Sequence, residues 1–279
     1  MKKVICLLLA VMMVLSMAAC GSKKEAAKTL KVALSPDFAP MEFVDATKSG
    51  QDQFVGFDVT LAKYIANEMG VTLELVPMSF DACQTAVATG NVDMSISGFS
   101  WTEERAQNYN LSDHYQAGEN ETEQVLITLA SNGDKFADAA SVKGLKVGAQ
   151  TASLQESLAT AQLPDAEIVV YSDITTGLMQ LKKGDFDVMA VADGNADSII
   201  ASNPDVAKSG FKFEVDDEST DNVIMLQKGN DEMLKTVNEI LAKAKAAGLY
   251  AGWYEDAKAL AGIESAAEVS YDDNGNVEG

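Results

Sequence analysis

The stretch AVATGNVDMSISG, Ala86 to Gly98, returns in altered form as QLKKGDFDVMAVADG, Gln180 to Gly194. In both, a helical run stops at Gly, one polar and one apolar residue follow, and an Asp stands before an apolar strand. Upstream, LKVAL (30–34) is likewise echoed by LKVGA (145–149). Between each pair of echoes the elements come in the same order. After LKVAL, a helix is predicted from about Asp58, with Val59, Ala62, Ile65, Ala66 and Met69 on one face and Gly70 as its stop. VTLELVP then alternates as a strand, and SFDACQTAVATG reads as a helix. In the second copy SLQESLATA, AEIVVY and DITTGLMQLKKG take those places. Each copy therefore reads β-α-β-α-β, the order of a parallel sheet with right-handed crossovers.

The predicted fold class is α/β, with two lobes that are each a mainly parallel sheet flanked by helices. Ligands of such sheets sit beyond the C-terminal strand ends, which places a cleft between the lobes. QVLITL (124–129) and NVIMLQ (222–227) are read as two hinge strands. Lobe two (124–221) is thus inserted into lobe one (29–123, resumed over 222–262). A C-terminal helix with Met233, Val237, Ile240, Leu241 and Ala244 on one face returns to lobe one. Residues 263–279 form an acidic tail without an apolar face.

The N-terminus reads as a targeting segment. MKK precedes an apolar run, VICLLLAVMMVLSM, shorter than a typical spanning helix, and MAAC ends it. This resembles a bacterial lipoprotein signal, in which residues 1–19 are removed, Cys20 is acylated and 20–28 form a tether. The expected location is the outer face of the cytoplasmic membrane. Cys6 leaves with the leader, so Cys83 is the one remaining thiol besides Cys20 and no disulfide framework exists. A net charge of −21 argues against nucleic acid and against adsorption on anionic lipid.

No CxxC, HExxH, Gly-rich phosphate loop or GxSxG is present, and neither metal nor cofactor is expected. His114 is the only histidine and reads as a loop residue. SISGFSWTEER (95–105) gathers hydroxyls, a glycine and an arginine after a strand. Two readings stand. In one, Ser100 caps the next helix through its S-x-x-E spacing and Arg105 forms a surface ion pair. In the other, backbone N–H groups, Ser97 and Ser100 surround a carboxylate that Arg105 grips bidentately. Phe38 and Phe80 follow the first two strands of lobe one, at the cleft edge or in its core. Asp193 holds the matching post-strand position in lobe two, as a cleft residue or a turn-forming Asp-Gly. Ser153 opens another capping box, SLQE, which commits its hydroxyl to its own helix.

The segments LKVALSPDFAPMEF, FVGFDVTLAKYIANEMGV, SFDACQTAVATGNVDMSISGFSWTEERA, LSDHY, VKGLKVGAQTASLQE and ILAKAKAAGLYAGWYED span most of residues 30 to 256. Together they resemble the family-three extracellular solute-binding proteins of polar amino acid ABC transporters, whose lobes form the type II periplasmic-binding-protein-like fold. The resemblance implies a monomeric, non-enzymatic receptor that captures a free amino acid and passes it to a permease with a cytoplasmic ATPase. It implies that Arg105 binds the ligand carboxylate, helped by Gly98, Ser100 and the helix start at Ser153, with Thr151 beside it. Phe38 and Phe80 would flank the ligand side chain, and Asp193 would take the α-ammonium. Here the chain departs from the family, because Ala192 stands at the usual Asp position. Either Asp193 still reaches, or the ammonium is held otherwise. Ser35, Asp37, Glu42 and Gln150 are the further candidates to face a ligand side chain, and the acidic ones suit a cation. A sensory binding module and a dehydratase-like enzyme using Glu42, Asp81 or Asp193 are the alternatives.

Overall fold

The computed structural model describes residues 28–115 and 123–263. The expected leader, the acylated Cys20 and nearly all of the tether and tail lie outside the described residues.

Lobe one opens with β1 (Thr29–Leu34), followed by a small antiparallel sheet of β2 (Asp37–Phe38), β3 (Glu42–Val44) and β4 (Phe54–Val55). Then come α1 (Phe57–Met69), β5 (Thr72–Pro77), α2 (Phe80–Ala88), β6 (Met94–Ser95), α3 (Glu103–Asn108) and β7 (Tyr109–Leu111). Lobe two comprises β8 (Gln124–Leu129), β9 (Lys146–Gln150), α4 (Leu154–Gln162), β10 (Glu167–Tyr171), α5 (Ile174–Lys183), β11 (Val188–Ala192), α6 (Asp193–Ser202) and β12 (Val206–Lys212). The chain returns through β13 (Met225–Gln227), α7 (Asp231–Ala246) and α8 (Leu249–Leu260).

The two large sheets have the orders β5-β1-β6-β13-β7 and β10-β9-β11-β8-β12. In each, only the fourth strand runs against the others: β13 is antiparallel to β6 and β7, and β8 to β11 and β12. Those reversed strands are the two read as hinges. Each pairs within one sheet, so the passages between lobes lie just ahead of them. At the return, Asn222 bridges both Ser100 and Tyr115. The small β2–β4 sheet, which the sequence reading did not foresee, carries Asp37, Phe38 and Glu42.

Burial on both faces explains the apolar strands. In β1, Leu30, Val32 and Leu34 join one core and Ala33 the opposite one. In β11, Met189 and Val191 face one core while Val188 and Ala190 face the other. Period-two alternation thus feeds two cores per lobe. Helix α1 is set by its glycines. Gly70 ends it in the left-handed conformation, its N–H donating to Ala66 and Asn67 carbonyls. Ahead of it, a Cβ on Gly56 would lie 2.2 Å from the Met41 carbonyl oxygen, so only glycine lets the β3 loop pass.

Candidate ligand-binding cleft

A cavity walled by residues of both lobes lies between them. Lobe one contributes Phe38, Phe80, Ser97, Gly98, Ser100 and Arg105 to its wall, together with Ser35, Asp37 and Glu42.

Arg105 sits on α3, whose N-cap is Thr102: its side chain accepts the Arg105 N–H. Ser100 is therefore not the cap, a correction to the S-x-x-E reading. Its backbone is drawn instead into the bridge to Asn222, and the residue lines the cavity. The Arg105 guanidinium is buried, donating to the carbonyls of Ser100 at 2.7 Å and, across the cleft, Ala152 at 2.9 Å. It lies 5.6 Å from the Phe80 ring centroid and 5.4 Å from that of Phe99. Desolvation lowers its pKa to about 10, which leaves it a cation at any physiological pH. Among the described residues it forms no ion pair, and a buried cation in that state favours an anionic guest.

A second polar centre lies in the same lobe. Glu42 and Asp58 are 0% and 1% exposed. Ser97 donates its hydroxyl to Glu42 Oε1 at 2.6 Å while accepting the Ser35 N–H. Asp58 accepts from the Gly98 N–H at 2.7 Å and the Tyr115 hydroxyl at 2.9 Å. Ser97 and Gly98 thus line the cavity with their polar groups already spent on these acids, rather than free to surround a carboxylate. Gly98 has a further role, since a Cβ there would lie 2.6 Å from the Phe38 ring. Glu42 and Asp58 lie close enough in this buried pocket for each to disfavour ionisation of the other. Burial, then the neighbouring Asp58 charge, pushes Glu42 well above the usual carboxylate range; burial raises Asp58 to about 6. No hydrogen-bond donor of the described residues reaches Glu42 Oε2.

Lobe two supplies different groups. Three predicted contacts are not on the cavity wall. Thr151 directs both its N–H and its hydroxyl to the Tyr171 carbonyl. Ser153 caps α4 by accepting the Glu156 N–H at 3.1 Å, as its capping-box spacing foretold. Asp193 is held by Lys208 at 2.7 Å, and Lys208 also pairs with Asp197. The lining is instead formed by Gln150, Gln155, Tyr171, Ala192, Asn195 and apolar neighbours. Asn195 was missed because nothing local separates it from the other polar residues of DGNAD. The lobes also meet directly: Asp37 accepts the Ile174 N–H at 2.5 Å, Asn195 donates to the Ala39 carbonyl at 3.1 Å, and Gln84 donates to that of Ala152 at 3.1 Å. This is a closed cleft.

Residues 30–256 match the model of the bacterial extracellular solute-binding proteins, family 3. The chain belongs to this family. Among curated solute-binding proteins, it is 28% identical over 213 residues to a probable histidine-binding protein of Campylobacter jejuni, covering 73% of this chain and 79% of that one. The arginine-binding extracellular protein ArtP of Bacillus subtilis is 29% identical over 239 residues, 79% of this chain and 89% of its own. The solved structure of the substrate-binding protein AbpA of Streptococcus pneumoniae, bound to L-arginine, superposes with a TM-score of 0.76 at 34% identity, covering 85% of this chain and 97% of that one. The two lobes described above are those of a type II solute-binding protein. No helix among the described residues is long and apolar enough to cross a membrane.

Proposed function

We propose that this solute-binding protein captures a free cationic amino acid between its lobes and delivers it to an ABC importer, held at the membrane by lipid on Cys20. The observation that carries the reading is the pairing, in one cavity, of a buried unpaired Arg105 with a buried Glu42 oxygen that lacks a donor. The first suits an α-carboxylate, the second a cationic side chain, and Phe38 and Phe80 suit its alkyl stem. The arginine- and histidine-binding relatives support the same class.

No bond is made or broken in this mechanism. Lobe one holds the ligand by charge, and hinge closure adds the lobe-two contacts. A few charge-assisted hydrogen bonds at ~1.5–3 kcal/mol each, less ordering costs, support micromolar binding near −8 kcal/mol. Calorimetric titration with arginine, lysine, histidine, glutamine and glutamate tests it: binding confined to the cationic ligands is expected. Tight binding of glutamate alone would overturn the side-chain assignment.

One observation favours a second reading. A buried carboxyl in the cavity whose pKa burial raises, Glu42, is what a dehydratase-like general acid requires, whereas Asp81 and Asp193 lie away from the wall. Recovery of the bound ligand unchanged after prolonged incubation separates receptor from enzyme.

A further inference from the structure

We infer that Asn195, and not an aspartate, accepts the α-ammonium group of the ligand. The inference rests on the amino acid receptor reading and assigns a contact within it. At the end of β11, the residue facing the cavity is Ala192, whose methyl group accepts nothing. Asp193, next in the chain, turns away to Lys208, which also draws in Asp197. Following Asp193 would cost that ion pair and leave Lys208 short of a partner.

Asn195 stands one half-turn further along α6, 1% exposed and on the cavity wall. Its amide orientation is set by chemistry: Nδ2 donates to the Ala39 carbonyl of lobe one, so Oδ1 faces the other way. That oxygen is buried and reached by no donor of the described residues. A buried acceptor left alone is costly, and a primary ammonium brings three donors. No charged side chain of lobe two lines the cavity to compete for it. Lobe one fills the other two roles, with Arg105 for the carboxylate and Glu42 for the side chain. Because Asn195 also touches Ala39, its grip on the ammonium forms only as the lobes close. Being neutral, it discriminates for the ammonium less sharply than a carboxylate does.

The test is calorimetry with L-arginine and with 5-guanidinopentanoate, the same molecule without its amino group. Loss of the Ala39 contact in Asn195→Ala weakens both ligands, so the informative quantity is the ratio of their affinities. That ratio is expected to shrink roughly tenfold in Asn195→Ala and to widen in Asn195→Asp. In Asp193→Asn it should stay within about twofold of the parent. The near-isosteric Asp variant answers the question even if the Ala variant unfolds. An unchanged ratio in the Asn195 variants, or its collapse in Asp193→Asn, overturns the assignment while leaving the receptor reading intact. No heat with any amino acid in the parent protein would remove the receptor reading, and this contact with it.

Discussion

The two lobes share a strand order and differ in chemistry. Lobe one brings Arg105, Glu42 and Asp37 to the cavity, with Asp58 behind them. Lobe two brings amides, a tyrosine and apolar side chains, and no formal charge. The repeated β-α-β-α-β order therefore conveys a scaffold, while the recognition groups are particular to each copy. In the proposed function, charge in one half selects the ligand. Neutral groups of the other half, at Ala152, Ile174 and Asn195, bond across to Arg105, Asp37 and Ala39 of the first and hold the lobes together.

The sharpest way to break this comparison is Arg105→Ala. Losing two charge-assisted bonds to a carboxylate should weaken every α-amino acid by ~100-fold or more, with the far-ultraviolet circular dichroism unchanged. Near-parental affinity would strike Arg105 from the site. Next in size is Glu42→Gln, which should weaken arginine by roughly 10- to 100-fold and glutamine by no more than about threefold. Equal losses for both ligands in calorimetry would show that Glu42 holds the fold rather than the cation.

The acid pair also sharpens the contrast through pH. In the unfolded chain both carboxyls ionise near pH 4. In the folded protein Asp58 keeps its proton to about pH 6, and Glu42 is raised too. The folded state binds more protons across that window, so this pair's contribution to stability falls as pH rises from about 4 through 6. Urea unfolding from pH 4 to 7 should show parent protein losing ~2 kcal/mol relative to Asp58→Asn. A flat difference would mean that burial does not raise Asp58 in the folded protein. The smallest effect is expected in lobe closure: Gln84→Ala removes one neutral contact to Ala152, and should raise the arginine dissociation rate up to ~5-fold with association unchanged. Stopped-flow measurement of both rates decides it, and a change confined to association would count against a closure role.

Much of this was legible before any coordinates. Gly70, Gly184 and the alternating strands marked the elements where they fall. Phe38, Phe80 and Arg105 line the cavity, one of the two placements that each position allowed. The helix cap was misplaced by two residues because Ser100 and Thr102 compete locally, and the winner is chosen by Asn222, far along the chain. Asp193 failed for a similar reason, since its partner Lys208 comes from β12.

The sequence by itself determined the duplicated α/β lobes, the helix stops and the capping of α4 by Ser153, because periodicity, glycine conformation and capping act over a few neighbouring residues. Only the tertiary structure decided that Glu42 and Asp58 would be buried together and that Asn195 rather than Asp193 would face the cleft. Those outcomes depend on which distant group arrives first at a side chain in a low-dielectric interior. There an unmet donor or charge costs more than any local preference supplies.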